Sequence, residues 1–214
     1  ELMSDWPVAV VPNALNTEYW QPIDKSLARQ VLGLSCEGPL LLFGAMGGGS
    51  DPRKGFDLLQ SALQHLRGEI AGLQLLVFGQ LAPKNAPDFG FPIHYTGHLH
   101  DDISLRVLYS AADALVIPSR QDNLPNTGVE SLACGTPVIA FDTCGLPDIV
   151  EHQQTGYLAS AFDTSDLAAG IKWVLSTADY DDLCINSRIK AVNCFDSRVV
   201  AQQYMNIYQE VLSR

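Results

Sequence analysis

Few positive charges, no long apolar run and no cysteine pairing pattern set the first limits on this chain of 214 residues. Thirteen lysines and arginines stand against 24 aspartates and glutamates, a formal net charge of -11. A nucleic-acid backbone would repel such a surface, which excludes nucleic acid as a partner but leaves room for a local basic pair on a small phosphorylated ligand. No apolar run approaches the ~18–20 residues that span a bilayer. The segment Glu1 to Pro12 has neither the basic start nor the long apolar core of a secretory signal. The cysteines, Cys36, Cys134, Cys144, Cys184 and Cys194, are odd in number and form no CxxC pair. A disulfide framework or a zinc knuckle is thereby disfavoured, and a reducing, cytoplasmic setting is expected. What is present is a hydrophobic fraction of 47%, enough for a sizeable core and too much for a disordered chain.

Short apolar runs alternate with amphipathic stretches. The runs are Val8 to Val11, Leu40 to Phe43, Leu73 to Phe78, Ala114 to Ile117 and Val138 to Phe141, with a weaker one at Ile93 to Tyr95. They are apolar at consecutive positions, as parallel strands covered on both faces by helices are. Helices are predicted over Phe56–Leu66, Ile103–Ala111, Asn126–Cys134, Asp166–Leu175, Tyr180–Val192 and Arg198–Leu212. The first places Phe56, Leu59, Leu63 and Leu66 on one face; the second does the same with Ile103, Val107 and Leu108. Gln80 to Pro92, with its prolines and little periodicity, reads as a surface loop. Strand and helix in alternation predict one α/β domain over residues 1–214, a Rossmann-like doubly wound parallel sheet. Ligands of such sheets bind beyond the carboxyl ends of the strands, so the loops after Phe43, Phe78, Ile117 and Phe141 are where chemistry is expected.

Gly44 to Gly55 joins a buried strand to a helix and is rich in glycine, which lets backbone amides approach a phosphate. Arg53 and Lys54 stand near the helix start, where the dipole also favours anions. The loop is not a P-loop, because Ser50 stands where GxxxxGK[ST] needs lysine. It is not a dinucleotide fingerprint either, because Pro52 replaces the last glycine of GxGxxG. Taken alone, the segment is equally a glycine turn with a solvated basic pair.

The stretch Pro118 to Phe141 carries the strongest constellation. Asp122 precedes a helix and Glu130 lies on it, eight positions later. Asn123 is expected to cap that helix, Pro125 to sit in its first turn and Gly135 to close it. About two turns separate the acids, so both are expected to reach one cleft. The backbone amides of Asn126 and Thr127 would face a phosphate between them. Paired carboxylates accept hydrogen bonds from vicinal hydroxyls, which makes sugar and ribose rings natural ligands. An arbitrary acidic pair would more often be a turn residue and a solvated helix residue.

The flanking sequence bears on that choice. Asp122-x7-Glu130 followed by Ala133-Cys-Gly-Thr-Pro-Val138 resembles the E-x7-E signature of retaining glycosyltransferases of family 4. The first acid is aspartate instead of glutamate, and Leu124 and Pro125 replace the usual Phe-Gly pair. Val11 to Asn16 resembles the segment that opens the family's second domain, and Leu42 to Gly55 its phosphate loop, with Ala45 where an arginine is usual. Val77 to Gly79, Tyr95 to Leu99, Tyr109 to Ser119, Gly145 to Asp148 and Thr155 to Leu158 resemble further family segments in the same order, with Cys144 replacing a glycine.

The resemblance implies the C-terminal half of a GT-B glycosyltransferase, a nucleotide-sugar-binding domain whose N-terminal acceptor domain is absent. It implies a retaining, hexosyltransferase-type enzyme of polysaccharide biosynthesis that uses a nucleotide-diphosphate sugar, needs no cofactor and binds no metal. The acceptor, a sugar or a lipid-linked glycan, would be held by the absent domain, and the full-length enzyme would be open to peripheral membrane association. Glu130 would bind the ribose hydroxyls and Asp122 a hydroxyl of the sugar, while Arg53 and Lys54 neutralise the diphosphate. Gly44, Gly79, Leu99, Leu124, Asn126 and Thr127 would complete the donor contacts. The isolated domain is expected to bind donor without transferring it. Two other readings are a nucleotide-sugar epimerase on the same architecture and a non-catalytic nucleotide-binding module. A metal cluster at His98-Leu-His100-Asp101-Asp102 is less favoured, since the two aspartates suit a helix cap and first turn.

Overall fold

A computed structural model describes residues 8–44, 51–84 and 88–213. Six strands, β1 (Leu40–Gly44), β2 (Gln74–Phe78), β3 (Ile93–Gly97), β4 (Ala114–Ile117), β5 (Val138–Phe141) and β6 (Gly156–Ala159), form one sheet in the order β3-β2-β1-β4-β5-β6. Every neighbouring pair is parallel. The consecutive apolar residues of the strands divide between two covered faces, as the sequence predicts. Leu42, Leu76, Leu115 and Ala140 face one layer, and Leu41, Leu75, Val116 and Ile139 the other.

The helices are α1 (Lys25–Val31), α2 (Phe56–His65), α3 (Asp102–Ala111), α4 (Asn126–Ala133), α5 (Leu146–Ile149), α6 (Thr164–Ser176), α7 (Tyr180–Phe195) and α8 (Ser197–Leu212). Residues of α3 and α4, among them Leu108, Tyr109, Val129 and Leu132, close the first core layer, and those of α2 and α6, including Leu59, Leu63, Leu167 and Ile171, the second. Each such side chain contributes roughly 1.5–3 kcal/mol by leaving water.

Several expectations need correction. Val8 to Val11 forms no strand, and Val8 and Val10 are exposed. Pro7 and Pro12 bracket the run, and no described sheet strand pairs with it; just after it the Asn13 side-chain amide donates to Asn126 Oδ1 and the Leu15 backbone amide to the Phe195 carbonyl. The sixth strand is β6, at the edge beside β5. Ile103 is also exposed, because α3 buries Leu108 to Ala111 at its C-terminal end instead. Asp101 does cap α3, accepting from the Ser104 amide. The helix α4 is preceded by Pro125 and not by an Asn123 side-chain cap, while Gly135 follows it at φ 73°, the left-handed turn expected of a closing glycine.

The strand order reverses between β1 and β4, which are neighbours in the sheet although β2 and β3 intervene in sequence. Loops diverge there in opposite directions and leave a crevice beyond the carboxyl ends.

Candidate functional site

Two loops form the crevice walls. The loop after β1 runs into a single 3-10 turn, Pro52–Lys54, which Asp51 caps through the Arg53 amide. Gly55 follows at φ 64° and is buried against β4's loop; a Cβ there would stand 1.8 Å from the Pro118 carbonyl oxygen. No residue but glycine fits so close an approach of two backbones. The loops are further tied by the amides of Arg120 and Gln121, which donate to the Arg53 carbonyl at 2.7 and 3.4 Å. Arg120 also forms a two-pronged ion pair with Asp57 on α2. This lacing sets Lys54 opposite Asp122: the Lys54 ammonium lies 2.8 Å from Asp122 Oδ2.

Asp122 is held from its other side as well. The Ser119 hydroxyl donates to its Oδ2 at 3.3 Å, and its carbonyl accepts from the Gly145 amide at 3.1 Å. A Cβ on Gly145 would stand 1.3 Å from the Asn123 carbonyl oxygen, so the loop after β5 can support the Asp122 loop only with glycine at that point.

Glu130, half-buried on α4, receives a 2.8 Å hydrogen bond at Oε2 from the hydroxyl of the fully buried Tyr109. Burial raises the Glu130 carboxyl above the ordinary carboxylate range, and the Tyr109 hydroxyl, by stabilising the charged form, holds it back down. The Tyr109 phenol is raised well above its usual range, first by burial and then by the Glu130 charge, so it stays a donor.

These groups open onto one cleft of about 380 Å³. Its walls include Gly44, Lys54, Gly79, Leu99, Asp122, Thr127 and Glu130, seven of the positions singled out in the sequence. Three others lie outside its lining. Arg53 is exposed and turned to Asp51, whose carboxylate it meets at 2.8 and 3.0 Å. Asn126 lines an adjoining recess with Asn13, Leu15 and Glu130 and accepts from the Asn13 amide. Leu124 packs against the core layer beneath α4. The glycines at residues 47–49 lie outside the described residues. Sequence reasoning gave no role to Tyr109 in the lining; His98, within the family-like segment Tyr95 to Leu99, and His100, weighed with it as a metal cluster, line the cleft with their rings stacked at 6.1 Å. Among the described residues no group of three His, Cys, Asp or Glu side chains is arranged to hold a metal ion. All five cysteines are free thiols, and no described helix is long and apolar enough to cross a membrane.

The cleft therefore offers a cation and a carboxylate face to face, a second carboxylate from α4, the start of that helix, and an apolar wall of Phe78, Leu99 and Ile117. Such a set can grip a ligand with one anionic, one hydroxylated and one flat apolar part.

Known proteins share this architecture. D-inositol 3-phosphate glycosyltransferase of Segniliparus rotundus is 30% identical over 182 residues, 80% of this chain and 40% of that protein. Sucrose-phosphate synthase from Thermosynechococcus elongatus superposes with a TM-score of 0.78 at 27% identity, over 96% of this chain and 53% of that one. HepE of Anabaena, solved in complex with UDP-glucose, has a TM-score of 0.75 at 19% identity over 94% and 57% of the two chains, which shows the shared fold. The chain spans about half the length of the curated relatives it matches. The fold is the Rossmann-like half of the GT-B architecture. The model of the family described as glycosyl transferases group 1 matches residues 40–177, and the chain belongs to that family.

Proposed function

We propose that this domain binds a nucleotide-diphosphate sugar and serves as the donor half of a retaining glycosyltransferase. The observation that carries the reading is the single cleft at the sheet's reversal point that Lys54, Asp122, Thr127 and Glu130 share. Lys54 neutralises the diphosphate. A leaving diphosphate gains charge as the anomeric bond breaks, so a fixed cation stabilises the transition state more than the ground state. The amides at the start of α4 add to that charge. Asp122, released from Lys54, accepts a hydroxyl of the sugar, and Glu130 accepts the ribose hydroxyls. The apolar wall beside Leu99 and the histidine pair takes the base. Arg53 reaches the diphosphate only by leaving Asp51, so Lys54 is the principal cation.

A second domain supplies the acceptor, a sugar or lipid-linked glycan, and the reaction takes place in the cytoplasm, in keeping with five free thiols. The relative named D-inositol 3-phosphate glycosyltransferase supports transfer over isomerisation. Saturation-transfer NMR of the chain against a panel of nucleotide-sugars tests the reading. Signals from base, ribose and sugar protons together are expected for at least one donor. Absence of transfer to every member, or signals from the base alone, would contradict it.

A further inference from the structure

Tyr109 stands apart from the other residues at the cleft. It sits on α3, is completely buried, and is packed by Trp20 and Phe78 with ring centroids 6.1 and 6.0 Å away. Among the described residues its hydroxyl has one partner, Glu130 Oε2, at 2.8 Å. Among the described residues no other group donates to Glu130, so Oε2 is occupied and Oε1 is left for a ligand. A phenol surrounded by apolar rings and aimed at a half-buried carboxylate needs that partner, since an unpaired buried hydroxyl is costly. Filling the same volume with phenylalanine would have made a core residue without this demand.

We infer that Tyr109 is the positioning residue of the donor site, fixing the Glu130 carboxylate in one rotamer and in its ionised form so that Oε1 faces the ligand's hydroxyls. The inference rests on the donor reading of the cleft. A carboxylate tethered at one oxygen meets the ligand already oriented, and the side-chain freedom lost on binding is correspondingly small. The other charged and titratable groups that face Glu130 are Asp102 on α3, Cys134 at the C-cap of its own helix, and Lys54, His98, His100 and Asp122 in the lining of the same cleft; Arg106 and Arg188 lie toward Cys134 at the end of α4. Of these Asp102 works against ionisation, as does burial, and only Tyr109 donates to the carboxylate directly.

The test is the pH profile of donor affinity, measured by calorimetry with UDP-glucose and GDP-mannose from about pH 4 to 8, on the wild-type chain, Tyr109→Phe and Glu130→Gln. Phenylalanine keeps the ring contacts and removes only the hydroxyl. In the wild-type chain affinity falls on the acid side as Glu130 protonates. In Tyr109→Phe that acid limb moves upward by about one pH unit, and affinity at the plateau drops several-fold. Glu130→Gln removes the part of the limb that belongs to Glu130, so the difference from the wild-type profile isolates it. Carbon-13 NMR of the Glu130 carboxyl, without ligand, follows the same upward shift in Tyr109→Phe and needs no knowledge of the donor. An unshifted carboxyl in Tyr109→Phe, with donor bound by the wild-type chain, overturns the role of Tyr109 alone. Failure of the wild-type chain to bind any member of the nucleotide-sugar panel, these two included, overturns the donor reading, and the positioning role with it.

Discussion

Replacing Lys54 with methionine separates binding from stability. The Lys54–Asp122 pair is short at 2.8 Å, but the lysine side chain is 49% exposed and the aspartate 16%. An ion pair so open to water contributes about 0.2–1 kcal/mol to folding, which in a domain of this size moves the melting midpoint by no more than about 2–4 °C. A lysine contact with a diphosphate inside the cleft is worth about 1.5–3 kcal/mol, a tenfold to hundredfold change in donor affinity. The companion variant Asp122→Asn has the opposite signature. It frees Lys54, so a nucleotide diphosphate without sugar should bind as well or up to about fivefold better. The corresponding nucleotide-sugar should bind worse, because a charged acceptor for its hydroxyl is gone. Calorimetry with the two ligands and a thermal melt of each variant measure all four quantities. If both substitutions weakened both ligands equally, or if Lys54→Met cost as much in stability as in affinity, the assignment of separate partners to the two residues would be refuted.

Two further outcomes are expected. Gly145→Ala forces a methyl group against the Asn123 carbonyl and should displace the Asp122 loop, lowering both the denaturation midpoint and donor affinity; an unchanged affinity would show that the loop after β5 does not support the site. Asp196, buried at the start of α8, accepts from Arg198 and from the Thr17 hydroxyl, and these bonds, the arginine's foremost, hold its carboxyl far below the usual range. A depressed carboxylate stabilises the fold above its unfolded pKa of about 3.9 and loses that contribution as pH falls toward the folded value. Denaturant titrations should therefore find Asp196→Asn less stable than wild type at pH 7, with the gap closing below about pH 4; a gap that persists in acid would contradict it.

How far the sequence could carry this account is seen in particular elements. The buried strands β1, β2, β4 and β5 were legible because they are covered on both faces and so are apolar throughout. The edge strand β6 escaped, since Gly-Tyr-Leu-Ala gives too short and mixed a signal, while Val8 to Val11 offered the right composition with no neighbour to pair with. The seven-residue α1 was also unread; it owes its place to Arg29, whose guanidinium is buried against the nearby carbonyls of Cys36 and Gly38 and, far along the chain, the Ala111 carbonyl and the Asp113 carboxylate. In the site, the spacing of Asp122 and Glu130 was readable because one short helix sets it. The pairing of Arg53 with Asp51 was not, because a two-residue separation across a 3-10 turn depends on local geometry. Nor was the bond from Tyr109 to Glu130, which needs two helices to be packed side by side.

The claim under all of this is that one cleft grips a nucleotide-sugar by its phosphates and its hydroxyls together. Calorimetric titration of the best-bound donor into the wild-type chain and Glu130→Ala, at neutral pH and fixed salt, tests it most directly. The account predicts a loss of roughly tenfold or more in affinity with the fold unchanged. Equal affinity in the two proteins would contradict it.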